Sequence, residues 1–185
     1  MIGQHIHALG QRSVRLRDGA AVHLRAIRPE DEDRLMALYG RLSPESARQR
    51  FFTSMKWLPK AWARYFANVD HHDRLAVVAE REEAAGILLI GVARYDAAGT
   101  PGSAEIALVV EDAWQGLSLG RILLDEILQA GAQRGIHEFR ADVLADNRRM
   151  LELLARHTDV MEQTTEQGVT ELRVRPRLHA MEDTA

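Results

Sequence analysis

Residues 104–121, AEIALVVEDAWQGLSLGR, decide the fold of this chain. An apolar run typical of a buried strand ends near Val110, and a helical pattern starts directly after a loop that contains Gly116 and Gly120. A helix N-terminus offers unpaired N–H groups at the positive end of the helix dipole, which favours an anion. Arg121 in the first helical turn is unfavourable by about 0.3–1 kcal/mol, and a bound phosphate would reverse that effect. The pattern predicts either an anion-binding loop or an ordinary strand-to-helix turn.

The loop lacks the common nucleotide-binding motifs. Neither G-x-x-x-x-G-K-[ST] nor G-x-G-x-x-G occurs, which excludes a P-loop and a dinucleotide fingerprint. The chain contains no cysteine, which excludes disulfides, thiolate nucleophiles and metal sites built on sulfur. His71 and His72 lack further ligands at a suitable spacing, so we predict no metal site.

The patterns on both sides of this stretch predict a mixed α/β domain. Strands are expected at 21–27, 75–79, 87–95, 104–111 and 137–144, followed by a hairpin over 159–175 that turns near Gly168. Helical patterns begin at Pro29, Ser43, Pro59, Leu119 and Asn147. The helix between the strands at 104–111 and 137–144 predicts that those strands are parallel neighbours, joined by a right-handed crossover.

Length and composition indicate a single soluble domain. The 185 residues are 46% hydrophobic and 28% charged, which suits a globular core and is too apolar for disorder. The net charge of -3, with both signs interspersed, argues against nucleic acid or an anionic membrane as a partner. Because the sequence shows neither a membrane span nor a signal peptide, we expect a cytoplasmic protein. The predicted domain spans 14–176, between a loose N-terminal segment at 1–13 and a C-terminal tail at 177–185.

The loop QGLSLG at 115–120 resembles the Q/R-x-x-G-x-G/A acyl-CoA loop of the GNAT superfamily of N-acetyltransferases. The resemblance extends from about Val14 to Arg175 and includes LRAIRPEDE at 24–32, LSPESARQRFF at 42–52 and ADNRRMLELL at 145–154. Together the blocks resemble the GNAT domain of bacterial Pat-type protein lysine acetyltransferases. The resemblance implies the GNAT fold, a mixed and mostly antiparallel central sheet flanked by helices, with a parallel pair splayed at the acyl-CoA site.

The resemblance also implies acetyl-CoA as co-substrate. In the family the pyrophosphate lies on the loop backbone, and the pantetheine arm runs beside the preceding strand, where its amides can pair like another strand. The matching positions here are Leu108, Val109, Val110, Gln115, Gly116, Leu117, Ser118, Leu119, Gly120 and Arg121. Asn147 matches a family asparagine that contacts the cofactor, and a simple helix N-cap is its alternative role.

Glu105 is the candidate catalytic base. It is the carboxylate in the otherwise apolar run AEIALVV, and apolar surroundings tend to raise the pKa of a carboxylate. A raised pKa suits a group that must take a proton from an ammonium, directly or through water. Pat-type relatives use a Glu at the matching place. The alternative is a strand-end Glu that faces solvent or pairs with an arginine.

Two positions depart from the family pattern. Ser118 replaces a loop glycine, which costs free energy if φ is positive there, although its hydroxyl could donate to a phosphate oxygen. Leu154 stands where many GNAT enzymes have a tyrosine that protonates the departing thiolate. A CoA thiolate is only weakly basic, so this departure does not exclude catalysis.

The sequence therefore predicts an acetyl-CoA-dependent N-acetyltransferase whose acceptor amine attacks directly in a ternary complex. A protein lysine is the leading acceptor and a small-molecule amine the second. The third hypothesis, suggested by Ser118 and Leu154, is a weakly active acyl-CoA-binding regulatory module.

The chain before the second predicted strand has two notable residue groups. The aromatic residues are Trp57, Trp62, Tyr65 and Phe66. Their helical spacing predicts that most of them lie in the core, and the alternative is that they form a wall of the substrate groove. The basic residues are expected on a solvated helix face, with attraction of an acidic protein surface as the alternative, and are Arg48, Arg50 and Arg64. The final hairpin could pair with a second subunit in a homodimer, although no particular residue argues for it.

Overall fold

Eight strands and five α-helices make up the part of the chain that the computed structural model describes, residues 10–84, 86–97 and 99–177. The strands are β1 (Arg12–Arg15), β2 (Ala21–Ala26), β3 (Arg74–Glu83), β4 (Gly86–Asp96), β5 (Ser103–Val110), β6 (Glu138–Leu144), β7 (Thr158–Glu166) and β8 (Val169–Pro176). The helices are α1 (Glu32–Gly40), α2 (Pro44–Phe51), α3 (Lys60–Ala67), α4 (Leu119–Ala132) and α5 (Arg148–His157). Most of the two predicted loose ends, residues 1–9 and 178–185, lies outside the described residues.

The strands form one sheet in the order β1-β2-β3-β4-β5-β6-β8-β7. Neighbouring strands are antiparallel throughout, apart from the parallel pair β5 and β6. Helix α4 connects these two strands, as the sequence predicts. The mixed, mostly antiparallel sheet flanked by helices is therefore confirmed.

The parallel pair is short and then opens. Within the described residues, β5 pairs with β6 over 103–105, opposite 138–140. β5 continues to Val110 and stays in register with β4 up to that residue. Since β5 follows β4 while β6 leaves it, the sheet splits after Glu105, which confirms the splayed pair.

Hydrophobic residues pack on both faces of the sheet. Helices α4 and α5 cover one face, and α4 buries the predicted stripe that includes Leu119, Leu123 and Ile127. Gly131 lets α4 approach β6 closely, because a Cβ at this position would lie 2.6 Å from the ring of Phe139. Helices α1 and α3 cover the opposite face. This arrangement holds β5 between two layers of helices.

Charged side chains form a buried network at the corner of β2, β3 and α1. The Arg25 guanidinium donates to the Asp31 carboxylate at 2.7 and 2.9 Å and to Glu80 Oε2 at 2.8 Å. Asp31 also accepts from the Arg28 backbone N–H at 2.9 Å. Burial alone would raise the pKa of Asp31, but these bonds outweigh it and lower that pKa. The block LRAIRPEDE therefore supplies a structural corner.

Helix α3 differs from the sequence interpretation. Trp57, which precedes α3, and Trp62 and Tyr65 within it are exposed, so the prediction of core positions is wrong for these three. Phe66 is partly buried against the core. The inward face of α3 carries Ala63 and Ala67, which are both buried. Because the small residues face the sheet, the large rings take the outer face.

The two edges of the sheet are β1 and β7. β1 has four mostly exposed residues, too few and too polar for sequence patterns to identify, and it begins two residues before the predicted domain boundary. In β7 eight of the nine residues are exposed, Thr158 being buried, and the register of β7 with β8 shifts between Val160 and Glu162. None of the described helices has the length and apolar character needed to cross a membrane.

Candidate active site

A cleft of about 530 Å³ opens where β5 and β6 separate. Its walls are β5, residues 141–143 of β6, the loop before α4 and one face of α5, and α2 closes one end. The predicted site residues that line the cleft are Glu105, Leu108, Val109, Val110, Gln115, Gly116, Ser118, Gly120, Arg121 and Asn147. The fold thus brings the predicted base and most of the predicted cofactor positions to one place.

Two predicted cofactor positions do not line the cleft. The side chain of Leu119, the first residue of α4, is fully buried in the hydrophobic core between α4 and the sheet. Leu117 packs against the same core. The Leu117 carbonyl accepts from the Arg17 backbone N–H at 3.3 Å, which connects the loop to the turn between β1 and β2. These leucines anchor the loop.

The edge of β5 that faces the cleft carries backbone groups available for pairing. The Glu111 N–H donates to the Ile90 carbonyl of β4 at 2.9 Å, and backbone direction alternates along a strand. The backbone groups of Leu108 and Val110 therefore point away from β4, toward the cleft. The Gln115 side chain already donates a hydrogen bond to the Val110 carbonyl at 3.0 Å. Leu108 thus offers an N–H and a C=O to an extended ligand.

The loop has the backbone shape of a glycine-rich loop although it carries a serine. Gly116 has φ 78° and Ser118 has φ 75°, both in the left-handed region. A residue with a Cβ costs about 1–2 kcal/mol in that region, so the penalty anticipated at Ser118 applies. The Ser118 hydroxyl caps no N–H of α4 and remains free to donate to an anion.

The side chain of Gln115 fixes the loop to three elements. Its Nε2 donates to the Val110 carbonyl at 3.0 Å and to Ser46 Oγ of α2 at 3.1 Å. Its Oε1 accepts from Arg149 of α5 at 3.0 Å. Gln115 is therefore a positioning residue, because its side chain is occupied by the protein itself.

The acidic residues after β5 fasten the loop to the start of α2. Glu111 accepts two bonds from the Arg41 guanidinium, both at 2.9 Å. Asp112 accepts from the Ser43 N–H at 2.9 Å, Ser43 Oγ at 2.7 Å and Ser46 Oγ at 2.8 Å. Desolvation would raise the pKa of Asp112, but the bonds from Ser43 and Ser46 outweigh it and lower that pKa.

Glu105 stands where the cleft begins, on the last residue that pairs with β6. Its side chain is exposed, because alternation along β5 buries Ala104 and Ile106 on the opposite face. The expectation of apolar surroundings is therefore wrong. Its neighbour Arg140 pairs with Glu171 at 2.9 Å, and Glu105 forms no hydrogen bond or ion pair with another described residue. The carboxylate is free to accept a proton from a ligand.

The helix that follows β6 contributes Asn147 and Leu154. Asn147 caps α5 by accepting from the Met150 N–H at 3.1 Å, so the alternative role considered for it is present. Its amide nitrogen has no partner among the described residues and lies at the cleft wall. Leu154 is buried behind the cleft and offers no proton to a leaving group.

The three arginines expected on a solvated helix face have different environments. Arg64 is on the surface, with 69% of its side chain exposed. Arg48 donates to Asp146 at 2.7 Å and so joins α2 to the loop before α5. Arg50 is half-buried, lines the cleft, and lies 5.0 Å from the centre of the Phe51 ring. The prediction is wrong for Arg50, whereas Arg48 makes its ion pairs with exposed carboxylates, as expected of a solvated helix face.

Several cleft residues escape prediction from the sequence. Arg17 arrives from the turn between β1 and β2, and His157 from the end of α5. Ser46 and Gln49 belong to α2, whose block resembles the family without indicating which side chains reach the cleft. No local signal identifies these residues, since their positions depend on contacts between distant segments.

Comparison with known proteins places this cleft in a family context. The model for the acetyltransferase (GNAT) family matches residues 34–158. Acetyltransferase PA5475 of Pseudomonas aeruginosa is 30% identical over 138 residues, which are 75% of this chain and 74% of that protein. The GNAT domain of S. lividans PAT has a crystal structure with a TM-score of 0.79 and 30% identity, covering 94% of this chain and 98% of that one.

A more distant structure shares the fold. Salmonella typhimurium yncA, a putative acetyltransferase solved with its cofactor acetyl-CoA, has a TM-score of 0.66 and 16% identity. The match covers 89% of this chain and 99% of that one. At that identity the likeness concerns the fold alone.

Proposed function

The chain belongs to the GNAT family of acetyltransferases, and from this premise we propose that it transfers the acetyl group of acetyl-CoA to a protein lysine. Family membership makes it an acyltransferase enzyme. The observation that carries the proposal is the separation of β5 from β6 at Glu105. This separation puts a free strand edge, a helix N-terminus and an unpaired carboxylate along one cleft.

Acetyl-CoA would lie along the free edge of β5. The pantetheine amides would pair with the backbone of Leu108, which no described strand occupies on that side. The pyrophosphate would lie on the N–H groups of the loop and of the first turn of α4, near Ser118 and Arg121. The amide nitrogen of Asn147 would donate to the same ligand.

Glu105 would act as the general base for direct transfer. Its carboxylate accepts a proton from the lysine ammonium, directly or through water, and the free amine attacks the thioester carbonyl carbon. The C–N bond forms, the C–S bond breaks, and CoA leaves as the thiolate. Leu154 supplies no proton, so the thiolate is protonated from solvent; thiols are acidic enough for this departure. The absence of cysteine from the sequence excludes an acetyl-cysteine intermediate.

Exposed aromatic residues at the end of α2 and after it support a protein as acceptor over a small amine. Phe52 lines the cleft and is 43% exposed. The chain that follows exposes 69% of Trp57 before α3, and 45% of Trp62 and 52% of Tyr65 within α3. Exposed aromatic residues are typical of protein contact surfaces. A small amine would need no such surface, and the resemblance to Pat-type lysine acetyltransferases points the same way.

The test measures binding and transfer on the purified full chain. We expect calorimetry to give one acetyl-CoA site per chain, and Glu105→Gln to lower kcat at least about a hundredfold while acetyl-CoA binding persists. Glu166→Gln is the matched control, since Glu166 is an exposed carboxylate at the end of β7, outside the cleft and away from Glu105 and Arg140. Equal turnover by Glu105→Gln and wild type would refute the base assignment. Absence of acetyl-CoA binding at millimolar concentration would refute the proposed function.

A further inference from the structure

Arg94 of β4 is a half-buried arginine with no carboxylate partner in the described part of the chain. Its guanidinium donates to the Phe66 carbonyl at 2.7 Å and lies 4.2 Å from the centre of the Phe66 ring. The nearby carboxylate of Asp96 forms an ion pair with Arg74 at 3.3 Å and accepts a hydrogen bond from the Tyr65 hydroxyl at 3.2 Å. The positive charge of Arg94 is therefore not neutralised, and removing such a charge from water is costly.

Arg50 brings a second cation to the same ring. Its guanidinium carbon lies 5.9 Å from the centre of the Phe66 ring, and Arg50 has no hydrogen bond or ion pair with any described residue. Burial first, and then the charges of Arg50 and Arg74, lower the pKa of Arg94 to about 10, although Tyr39 and Asp96 act in the opposite direction. Neither Arg50 nor Arg94 has a carboxylate in hydrogen-bond or ion-pair contact among the described residues, so the two cations offer a site for an anion.

Arg50 lies at the cleft where the acceptor amine would react, and Arg94 lies on the neighbouring strand β4, outside the residues that line the cleft. Arg50 lines the cleft together with Glu105. Arg94 is in register with Ala107, which also lines the cleft and lies two positions along β5 from Glu105, on the same sheet face. A molecule whose amine approaches Glu105 can therefore extend a second group toward Arg50 and Arg94.

We propose that the acceptor carries a carboxylate near its reacting amine, and that Arg50 and Arg94 bind this carboxylate. The inference rests on the proposed acetyl transfer and names the class of acceptor. Guanidinium groups offer several N–H donors in a plane, a geometry that matches a carboxylate. The carboxylate can come from a small amino acid, or from an aspartate or glutamate beside a protein lysine.

The first experiment uses wild-type protein and two matched pairs of acceptors. One pair is γ-aminobutyrate and its carboxamide, and the other is a lysine peptide with either glutamate or glutamine beside the lysine. Charge-assisted hydrogen bonds predict that kcat/KM is about tenfold or more higher for the carboxylate member. A preference confined to the first pair identifies a small acceptor and overturns the protein lysine of the proposed function while keeping the carboxylate site. A preference in the second pair identifies a protein acceptor.

The second experiment attributes the preference to the two arginines. Arg50→Gln and Arg94→Gln should each reduce the ratio of kcat/KM between the members of a pair toward one, and Arg50→Lys should retain part of it. Arg64→Gln is the control, because Arg64 is exposed on α3 and should leave the ratio as in wild type.

The outcomes separate this inference from the proposed function. Acetyl transfer with equal kcat/KM for both members of each pair overturns the carboxylate site and leaves the acetyltransferase assignment standing. A preference that persists in Arg50→Gln and Arg94→Gln also overturns the site. Absence of acetyl transfer to every amine of the panel overturns the proposed function, and this inference with it.

Discussion

Arg25 and Arg94 are both withdrawn from solvent, yet the chain treats their charges in opposite ways. At the corner of β2, Asp31 and Glu80 surround Arg25, and their bonds raise its pKa although burial would lower it. Beside the cleft, Arg94 has a carbonyl and a ring, and burial lowers its pKa to about 10. The charge of Arg25 is neutralised by carboxylates of the same chain, whereas Arg94 beside the cleft has no carboxylate partner among the described residues. Polar groups without protein partners therefore lie where a ligand is expected.

The largest effect on stability is expected from disrupting the buried network of Arg25, Asp31 and Glu80. Arg25→Met should lower the free energy of unfolding by about 3–5 kcal/mol, because it leaves Asp31 and Glu80 buried without their shared partner. Urea unfolding monitored by circular dichroism measures the change. Arg64→Met, at an exposed position, should change stability by less than about 0.5 kcal/mol. A loss below about 1 kcal/mol in Arg25→Met would show that the corner contributes little.

Acid should weaken the same corner. The pKa of Asp31 is lower in the folded chain than the value near 4 expected when unfolded. The stabilisation is therefore fully present above about pH 4 and is lost as pH falls through the lower, folded pKa. Urea unfolding at a series of pH values should show this loss, and Asp31→Asn should give a flatter profile. The same pH slope in variant and wild type would contradict the assignment.

The strained serine tests the cleft loop. Ser118→Gly should raise the free energy of unfolding by about 1 kcal/mol, because glycine adopts φ 75° without the steric cost. This figure is the net gain after subtracting the greater conformational entropy that glycine loses on folding. Urea unfolding gives the stability, and calorimetry with acetyl-CoA gives the affinity. Ser118→Ala keeps the strain and removes the hydroxyl, so it separates the two contributions. Lower stability in Ser118→Gly would contradict the strain argument.

The smallest effect on stability is expected at the unsatisfied arginine. Arg94→Met should change the free energy of unfolding by no more than about 1 kcal/mol, because loss of the bond to the Phe66 carbonyl is offset by removal of a desolvated charge. The measurement is the same urea titration used for Arg25→Met. A loss of unfolding free energy as large as that of Arg25→Met would mean that Arg94 stabilises the fold, and would contradict the difference drawn here between the two arginines.

Most of the fold could be predicted from local patterns. The strand-loop-helix segment at 104–121 fixes β5, the loop and α4, and the crossover rule then gives the parallel pair. The hairpin near Gly168 follows from its alternating strands. β1 was not predicted because four residues with a single apolar side chain, Val14, show too little periodicity, and α3 was misread because its buried residues are alanines. Patterns identify an amphipathic helix more readily than they identify which of its faces is buried.

The site could be predicted only where its residues are adjacent in sequence. The loop motif located Gly116, Ser118 and Gly120 because loop geometry is a local property. Arg50 and Arg94 are 44 positions apart in the printed sequence and meet only through the packing of α2 and α3 on the sheet. The exposure of Glu105 likewise depends on which face of β5 is covered at that point of the sheet, which the residues of β5 alone do not encode.

The register shift in β7 has a consequence for how the chain behaves at high concentration. An edge strand presents open N–H and C=O groups on which another chain could extend the sheet into an aggregate. In β7 the shift between Val160 and Glu162 disturbs that row, and the strand carries the charged pairs Asp159–Arg177 and Glu162–Arg173. A second copy approaching in register would meet an irregular backbone and charged side chains. The outermost strand therefore protects an eight-stranded sheet from growing into a polymer.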